Sequence, residues 1–412
     1  MKAVVKNANV GGTVAAPPSK SFAHRLIIAA CLSGERTTIE NVGSSADISA
    51  TAAALSALGF DCRIDCGNAV IGEKKRSPKD TVFCGESGST LRFLLPVAAA
   101  LGIQTEFTGD TGLLKRPMSA LVDCLNVRGA DIRGLKIFGK LSSGSFIIDG
   151  SESSQYITGL LFALPLLEGE SEIIISGGSV SAGYIDITLS VLKDFGIKVE
   201  KTDSGYKIKG GKYRLPERIS VEGDYSGAAF FLAAGALGKG VTVKNLNPVS
   251  VQGDRAIVDI LSRFGAQVGV TEDGVTVKKS KLQGIEVDIS PIPDLAQIIA
   301  VVAAFAEGKT VLKNVERLQI KESDRLSAII KTLSAVGIET AIFGNDLIIF
   351  GGKPHGAALG GEKDHRTVMS QTVLATFASG NSTVENVGAE SKSYPEFYKD
   401  FALIGGKTDV LF

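Results

Sequence analysis

The chain has 412 residues, more than one ordinary hydrophobic core serves, so two domains are expected. Apolar residues make up 44%, which excludes a disordered chain, and Lys plus Arg equal Asp plus Glu at 44 each, which argues against a general nucleic-acid binder. Met1–Lys6 lacks the apolar core of a secretory leader, and the apolar runs at 93–101 and 298–306 are too short to span a bilayer, so a cytoplasmic protein with no membrane partner is expected.

A first strand is predicted near Ala3–Val5, followed after a Gly-Gly linker by a polar cluster that opens an apolar helix. Such clusters recur as Ser19-Lys20-Ser21, Ser87-Gly88-Ser89-Thr90, Ser153-Ser154-Gln155, Asp224-Tyr225-Ser226, Pro293-Asp294 and Asp364-His365-Arg366. Each reads as a helix start with Ser, Thr or Asp as cap. About 35 residues after each, an apolar helix end runs into Gly59, Gly129, Gly196, Gly265, Gly337 or Gly405, and a β-like run follows. A period of roughly 70 residues marks one supersecondary unit used six times, with strand, helix, strand, helix and further strands in each copy. A strand is predicted at Glu172–Ser176 and a helix at Asp186–Phe195.

Three copies fall in 15–217 and three in the rest. If the copies close on themselves, the first strand pairs with the last copy. The C-terminal domain is then 1–14 plus 218–412, with a hinge near 14–16 and 217–220.

Several motifs fail on inspection. Gly308-Lys309-Thr310 and Gly406-Lys407-Thr408 lack the first Gly of a phosphate-binding loop, where Ala303 and Phe401 stand instead, and read as turns before strands. Gly85-Glu86-Ser87-Gly88 is not a nucleophile elbow. The five Cys form no metal or disulfide framework and read as reduced and mostly packed. No metal or organic cofactor is predicted.

The cations carry more. Lys20 and Arg25 lie on the first turns of one predicted helix, and Arg116 in a loop after Gly109-Asp110-Thr111-Gly112. Lys321 and Arg325 are spaced i, i+4 on a predicted helix face around Glu322, Arg366 follows Asp364-His365, and Lys392 precedes Ser393-Tyr394-Pro395. Singly, each is a solvated charge worth about 0–1 kcal/mol. Together, at one phase of several repeats beside helix amino termini, they predict a site for multiply anionic small molecules. Asp294 and Glu322 are candidate proton-transfer groups; alternatively Asp294 is a helix cap and Glu322 a helix salt bridge.

Eight segments, in order, resemble the 5-enolpyruvylshikimate-3-phosphate synthase family. They are Pro18–Arg25, Gly85–Arg92, Leu114–Met118, Gly150–Tyr156, Tyr184–Thr188, Lys321–Arg325, Asp364–Arg366 and Lys392–Pro395. The resemblance implies an α/β fold of the enolpyruvyl transferase type, a two-domain inside-out α/β barrel of six βαβαββ repeats, three per domain. It implies transfer of the enolpyruvyl group of phosphoenolpyruvate to the 5-hydroxyl of shikimate 3-phosphate in a closing cleft, with glyphosate competing for the phosphoenolpyruvate pocket. By matching position, Lys20, Ser21, Arg25, Ser153, Ser154, Gln155, Ser181, Tyr184, Asp294 and Lys321 would hold shikimate 3-phosphate. Lys20, Gly88, Arg116, Gln155, Arg325, Arg366 and Lys392 would hold phosphoenolpyruvate. Asp294 would take the hydroxyl proton, Glu322 would protonate the methylene carbon, and Lys20 would lie between the two substrates. Glu86 stands where many relatives carry Asn, Arg317 where some carry Asn, and Ala23 where a hydroxyl residue is common. The resemblance also favours a monomer. Two rival readings stay open here: an enolpyruvyl transferase acting on UDP-N-acetylglucosamine, and a non-catalytic anion-binding module on the same scaffold.

Overall fold

The chain opens with β1 (Lys2–Lys6) and β2 (Gly11–Ala15), which pair with strands at opposite ends of the C-terminal half. The computed structural model describes residues 1–73, 76–150, 152–177, 182–321, 323–360 and 363–411. Its contacts gather into a continuous unit, Lys20–Val221, and a discontinuous one, Met1–Ser19 with Glu222–Phe412.

The continuous unit begins with α1 (Lys20–Ser33), β3 (Thr37–Ile39), α2 (Ala46–Ala57), β4 (Asp61–Asp65) and β5 (Asn68–Gly72). Next come β6 (Thr81–Phe83), α3 (Gly88–Leu101), β7 (Glu106–Thr108), the single turn α4 (Thr111–Leu114), α5 (Ser119–Asn126), β8 (Ile132–Arg133) and β9 (Lys136–Ile137). The last copy holds β10 (Ser145–Asp149), α6 (Ser154–Ala163), β11 (Glu170–Ser176), α7 (Ala182–Asp194), β12 (Val199–Lys201) and β13 (Gly205–Lys209). Its sheet runs β10-β11-β13-β12, with β10 parallel to β11 (Ile147 opposite Ile174) and the other pairs antiparallel. The middle sheet, β6-β7-β9-β8, repeats that order. The first sheet, β3-β5-β4, has no opening strand. The chain at Ser220 takes that place through a parallel bridge to Glu40, where the Glu40 N–H donates to Ile219 O at 3.2 Å and the Val221 N–H to Glu40 O at 3.1 Å.

The discontinuous unit continues with α8 (Tyr225–Leu237), β14 (Gly240–Lys244), α9 (Ile257–Arg263), β15 (Gln267–Thr271) and β16 (Gly274–Lys278). Then follow β17 (Glu286–Asp288), α10 (Ala296–Phe305), β18 (Lys309–Lys313), α11 (Arg325–Ala335), β19 (Thr340–Phe343) and β20 (Asp346–Phe350). The chain closes with β21 (Ala358–Leu359), α12 (His365–Phe377), β22 (Ser382–Glu385), α13 (Phe397–Leu403) and β23 (Lys407–Leu411). β2 lies parallel to β14 and completes the sheet β15-β16-β14-β2. β1 inserts antiparallel between β22 and β23 and completes β21-β22-β1-β23. One short N-terminal segment therefore supplies a strand to the last repeat and another to the fourth.

The first helix of each repeat is the buried one. α8 reads Tyr-Ser-Gly-Ala-Ala-Phe-Phe-Leu-Ala-Ala-Gly-Ala-Leu, apolar on every side, and each of its residues is buried. Such a helix is stable only in an interior. It packs with α10 and α12, themselves almost wholly buried, while sheets surround the three. A methyl on Gly235 would stand 2.6 Å from Val277 O, so the close approach of α8 to β16 requires that glycine. α1, α3 and α6 are the corresponding buried helices of the continuous unit. The second helices end at the recurring glycines, whose φ values run from 77° to 100°, the left-handed cap that glycine adopts without a Cβ clash. No helix among the described residues is long and apolar enough to cross a membrane.

Candidate active site

In the continuous unit, the helix starts gather the polar side chains. Lys20, at the start of α1, pairs through Nζ with Asp47 Oδ2 at 2.7 Å, and Asp47 sits in the first turn of α2. Arg25 lies one turn further along α1 and is 3% exposed. Its Nε donates to Thr188 Oγ1 at 2.7 Å, Nη1 to Ser21 O at 2.8 Å, and Nη2 to Tyr184 O at 2.9 Å and Thr158 Oγ1 at 3.3 Å. The guanidinium also rests 5.0 Å from the centre of the Phe93 ring. All these acceptors are neutral, and burial pulls the Arg25 pKa down to about 9. At neutral pH the group remains a buried cation whose charge no carboxylate among the described residues offsets.

A second cluster surrounds the start of α3. Ser87 caps that helix, and Ser153 caps α6. A Cβ on Gly88 would lie 3.0 Å from Arg116 Nη1 and 3.5 Å from Gln155 Oε1, so both reach the first turn of the helix. Gln155 is held at both ends: Oε1 accepts from Arg92 Nη1 at 2.9 Å, and Nε2 donates to Ser89 Oγ at 2.9 Å. Arg92 Nη2 and the Tyr156 hydroxyl both donate to Pro117 O, at 3.1 and 2.5 Å, which pins the loop that carries Arg116. Guanidinium groups beside the amino end of a 14-residue helix suit a carboxylate or phosphate.

In the discontinuous unit, the starts of α10, α11 and α12 present a tight ionic cluster. Asp294 precedes α10, and its Oδ1 accepts from Arg325 Nη1 at 2.7 Å while Oδ2 accepts from Arg366 Nη2 at 2.9 Å. Arg325 opens α11 and is 1% exposed; its Nε donates to Asp364 Oδ2 at 2.9 Å. Asp364 caps α12 with its other oxygen, accepting from the Arg366 N–H at 2.8 Å. Nearby, Asp254 is buried, and its Oδ2 accepts from the Ser226 hydroxyl. Burial, reinforced by the charge of Asp294 and opposed by Arg366, pushes the Asp254 pKa up to about 7.

The sequence model of the family described as EPSP synthase (3-phosphoshikimate 1-carboxyvinyltransferase) matches residues 4–401. The chain is 39% identical to 3-phosphoshikimate 1-carboxyvinyltransferase of Clostridium novyi (strain NT), covering 97% of this chain and 96% of that one. It is 38% identical to the protein of the same name from Methanococcus maripaludis (strain C5), covering 100% of both.

The chain belongs to the EPSP synthase family.

Solved structures carry the fold independently. The EPSP synthase from Acinetobacter baumannii superposes with a TM-score of 0.85 at 24% identity over 100% of both chains. The enolpyruvyl transferase NikO from Streptomyces tendae gives 0.79 at 17% identity, over 99% of this chain and 98% of that one. The expected two-domain enolpyruvyl transferase fold is therefore the fold of this chain.

Set against this EPSP synthase scaffold, the structure groups the predicted residues into three sets. Ser21, Arg25 and Tyr184 meet in the first cluster, and Gly88, Arg116, Ser153 and Gln155 in the second, where Ser154 is buried in the first turn of α6. Asp294, Arg325 and Arg366 meet in the third. Lys392 is half-buried at the end of a short 3₁₀ turn, Ala389–Lys392. Glu322 and Ser181 lie outside the described residues.

Two expectations need correction. Lys321 is not on a helix face with Arg325: it follows a 3₁₀ turn, Glu316–Ile320, and α11 begins only at Arg325 because the Asp324 carboxylate caps it by accepting from the Ser327 N–H. The cap position of α10 is Leu295 rather than Asp294, whose carboxylate is drawn to the two arginines instead. The sequence reading missed three residues. Arg92 braces the Arg116 loop, Asp364 holds the Arg325 guanidinium beyond its capping role, and Asp254 faces the charge of Asp294. Only Asp364 carried a local signal, as a helix cap.

Proposed function

We propose that this chain transfers the enolpyruvyl group of phosphoenolpyruvate to the 5-hydroxyl of shikimate 3-phosphate and releases phosphate, the sixth step of the shikimate route to chorismate and aromatic amino acids. The observation that carries this reading is the near-full-length family match on a chain whose continuous unit holds Arg25 and Arg116 beside helix starts and whose discontinuous unit pairs Arg325 and Arg366 at two others. The substrate pair brings two phosphate groups and two carboxylates, and arginines are suited to both through paired N–H donors.

In this reading Arg116, Arg325, Arg366 and Lys392 hold phosphoenolpyruvate at Gly88, and Arg25, Ser21, Ser153, Ser154, Ser181, Tyr184 and Lys321 hold shikimate 3-phosphate. Gln155 and Lys20 touch both. Glu322 gives a proton to the methylene carbon, which leaves the central carbon cationic. The 5-hydroxyl oxygen adds there as Asp294 takes its proton, giving a tetrahedral intermediate. A methyl proton and phosphate then depart, and the enol ether remains. Fixed donors aimed at developing charge contribute about 3–4 kcal/mol apiece to such a reaction. Asp294 is paired with Arg325 and Arg366, and in this reading an incoming anion displaces it from the guanidinium groups and raises its basicity as the substrate arrives.

The deciding experiment is a phosphate-release assay with phosphoenolpyruvate and either shikimate 3-phosphate or UDP-N-acetylglucosamine as acceptor. Turnover with the first alone is expected, and turnover only with the second sinks the reading. The same proposal makes the protein a cytoplasmic monomer, and a dimeric mass by light scattering would refute the second half of that statement.

A further inference from the structure

Beneath the start of α3 runs a buried chain of hydroxyl groups. His24 Nδ1 lies 2.7 Å from Thr51 Oγ1, which lies 2.6 Å from Thr90 Oγ1, which donates to Ser87 Oγ at 2.7 Å. All four residues are at least nine-tenths buried: His24 and Ser87 are 1% exposed, Thr51 and Thr90 0%. The last bond sets the direction of the rest, because each hydroxyl has one proton. Thr90 spends its proton on Ser87, so Thr51 donates to Thr90. Thr51 then has none left for the ring, so His24 Nδ1 carries the proton and donates to Thr51. That tautomer fits a ring kept neutral, since burial pulls the His24 pKa down to about 3.

The far end of the chain is the informative one. Ser87 Oγ accepts twice, from the Thr90 hydroxyl at 2.7 Å and from the Thr90 N–H at 3.2 Å. Both its lone pairs are used, and among the described residues no acceptor takes its own proton. The N–H groups of Gly88 and Ser89, the next two residues, also have no backbone acceptor there. The Arg116 guanidinium reaches to 3.0 Å from the position of a Gly88 Cβ. A neutral ligand would gain little from this array, whereas an oxyanion accepts from all of it.

We propose that Ser87 is a further ligand-contacting residue, whose hydroxyl proton is directed by the His24–Thr51–Thr90 chain onto an oxygen of the anion bound at Gly88. His24, Thr51 and Thr90 are positioning residues that act through Ser87. The anion is a phosphate or carboxylate group; resting on the functional reading above, it belongs to phosphoenolpyruvate. The chain does not transfer a proton, and it fixes which way one hydroxyl points.

The test uses the full chain, with inorganic phosphate and phosphoenolpyruvate as titrants in calorimetry, alongside steady-state kinetics and melting curves. Ser87→Ala is expected to weaken both ligands about tenfold, the scale of one hydrogen bond to a charged group. It should raise KM for phosphoenolpyruvate while KM for shikimate 3-phosphate stays within twofold. Thr90→Val should shift phosphoenolpyruvate affinity the same way, and Thr90→Ser, which keeps the hydroxyl, should restore it. A plain helix cap predicts a lower melting temperature with ligand affinity unchanged, and that result in Ser87→Ala overturns the proposal. So does a Thr90→Ser variant that behaves like Thr90→Val, because packing would then be the cause. A wild-type chain that binds neither titrant overturns the functional reading itself, which the variants cannot do.

Discussion

Replacing Asp294 by Asn should sharply slow turnover and yet tighten the binding of phosphate. In the structure the Asp294 carboxylate satisfies Arg325 Nη1 at 2.7 Å and Arg366 Nη2 at 2.9 Å, and the arginine side chains are only 1% and 8% exposed. In the proposed function an incoming anion takes those donors from it. A hydrogen bond to a charged group contributes about 1.5–3 kcal/mol, and Asn keeps one neutral acceptor of roughly half that strength. With two charged bonds lost and one half-strength bond kept, the internal competition removed is about 2–4.5 kcal/mol, which corresponds to roughly a thirtyfold to thousandfold gain in affinity. Calorimetric titration of phosphate and phosphoenolpyruvate into wild type and Asp294→Asn at pH 7.5 measures it. Loss of the base should lower kcat by about two orders of magnitude or more in the same variant. Unchanged or weaker phosphate binding would refute the claim that Asp294 occupies the arginines. Retained turnover would remove it from the chemistry.

Gly88→Ala places a methyl 3.0 Å from Arg116 Nη1, so the guanidinium must give way; KM for phosphoenolpyruvate should rise about fivefold with the melting temperature little changed, and an unaltered KM would show that Arg116 does not need that space. His24 is neutral in the fold down to about pH 3 but takes a proton near 6.5 when unfolded, so the unfolded state binds more protons below that value and stability falls as pH drops. At pH 4.5 the loss relative to pH 7 is about 3 kcal/mol, and urea unfolding of His24→Gln should lack it. Asp254 behaves oppositely: its folded pKa is raised to about 7, so its contribution grows less favourable as pH rises from 3.8 towards 7. Asp254→Asn should be more stable than wild type at pH 8 and no more stable at pH 4, and equal stability at both would mean that the carboxylate is not held neutral.

The parts of this protein written in its sequence are those set by local chemistry. Six glycines in the left-handed region and caps such as Ser87, Ser153, Asp224 and Asp364 depend on backbone sterics and on hydrogen bonds spanning two or three residues, so spacing along the chain reveals them. A second local signal went unread: Asn41, Asn245, Asn314 and Asn386 all have φ between 58° and 63° just after a strand, each followed by Val or Leu, and they mark four of the six copies. The candidate site residues were legible because eight ordered segments resemble a known family, and their types alone would have left an anion site of unknown purpose. Which partners these side chains have was decided only by tertiary packing. Asp294 looks like a cap after a proline, but its carboxylate is held by arginines 31 and 72 residues away. Arg25 looks like any surface cation, but α1 carries it into a core where threonine hydroxyls and carbonyls are its partners. Charge and hydrogen-bond partners act through space over a few ångströms, and only the folded chain decides which distant residues come that close.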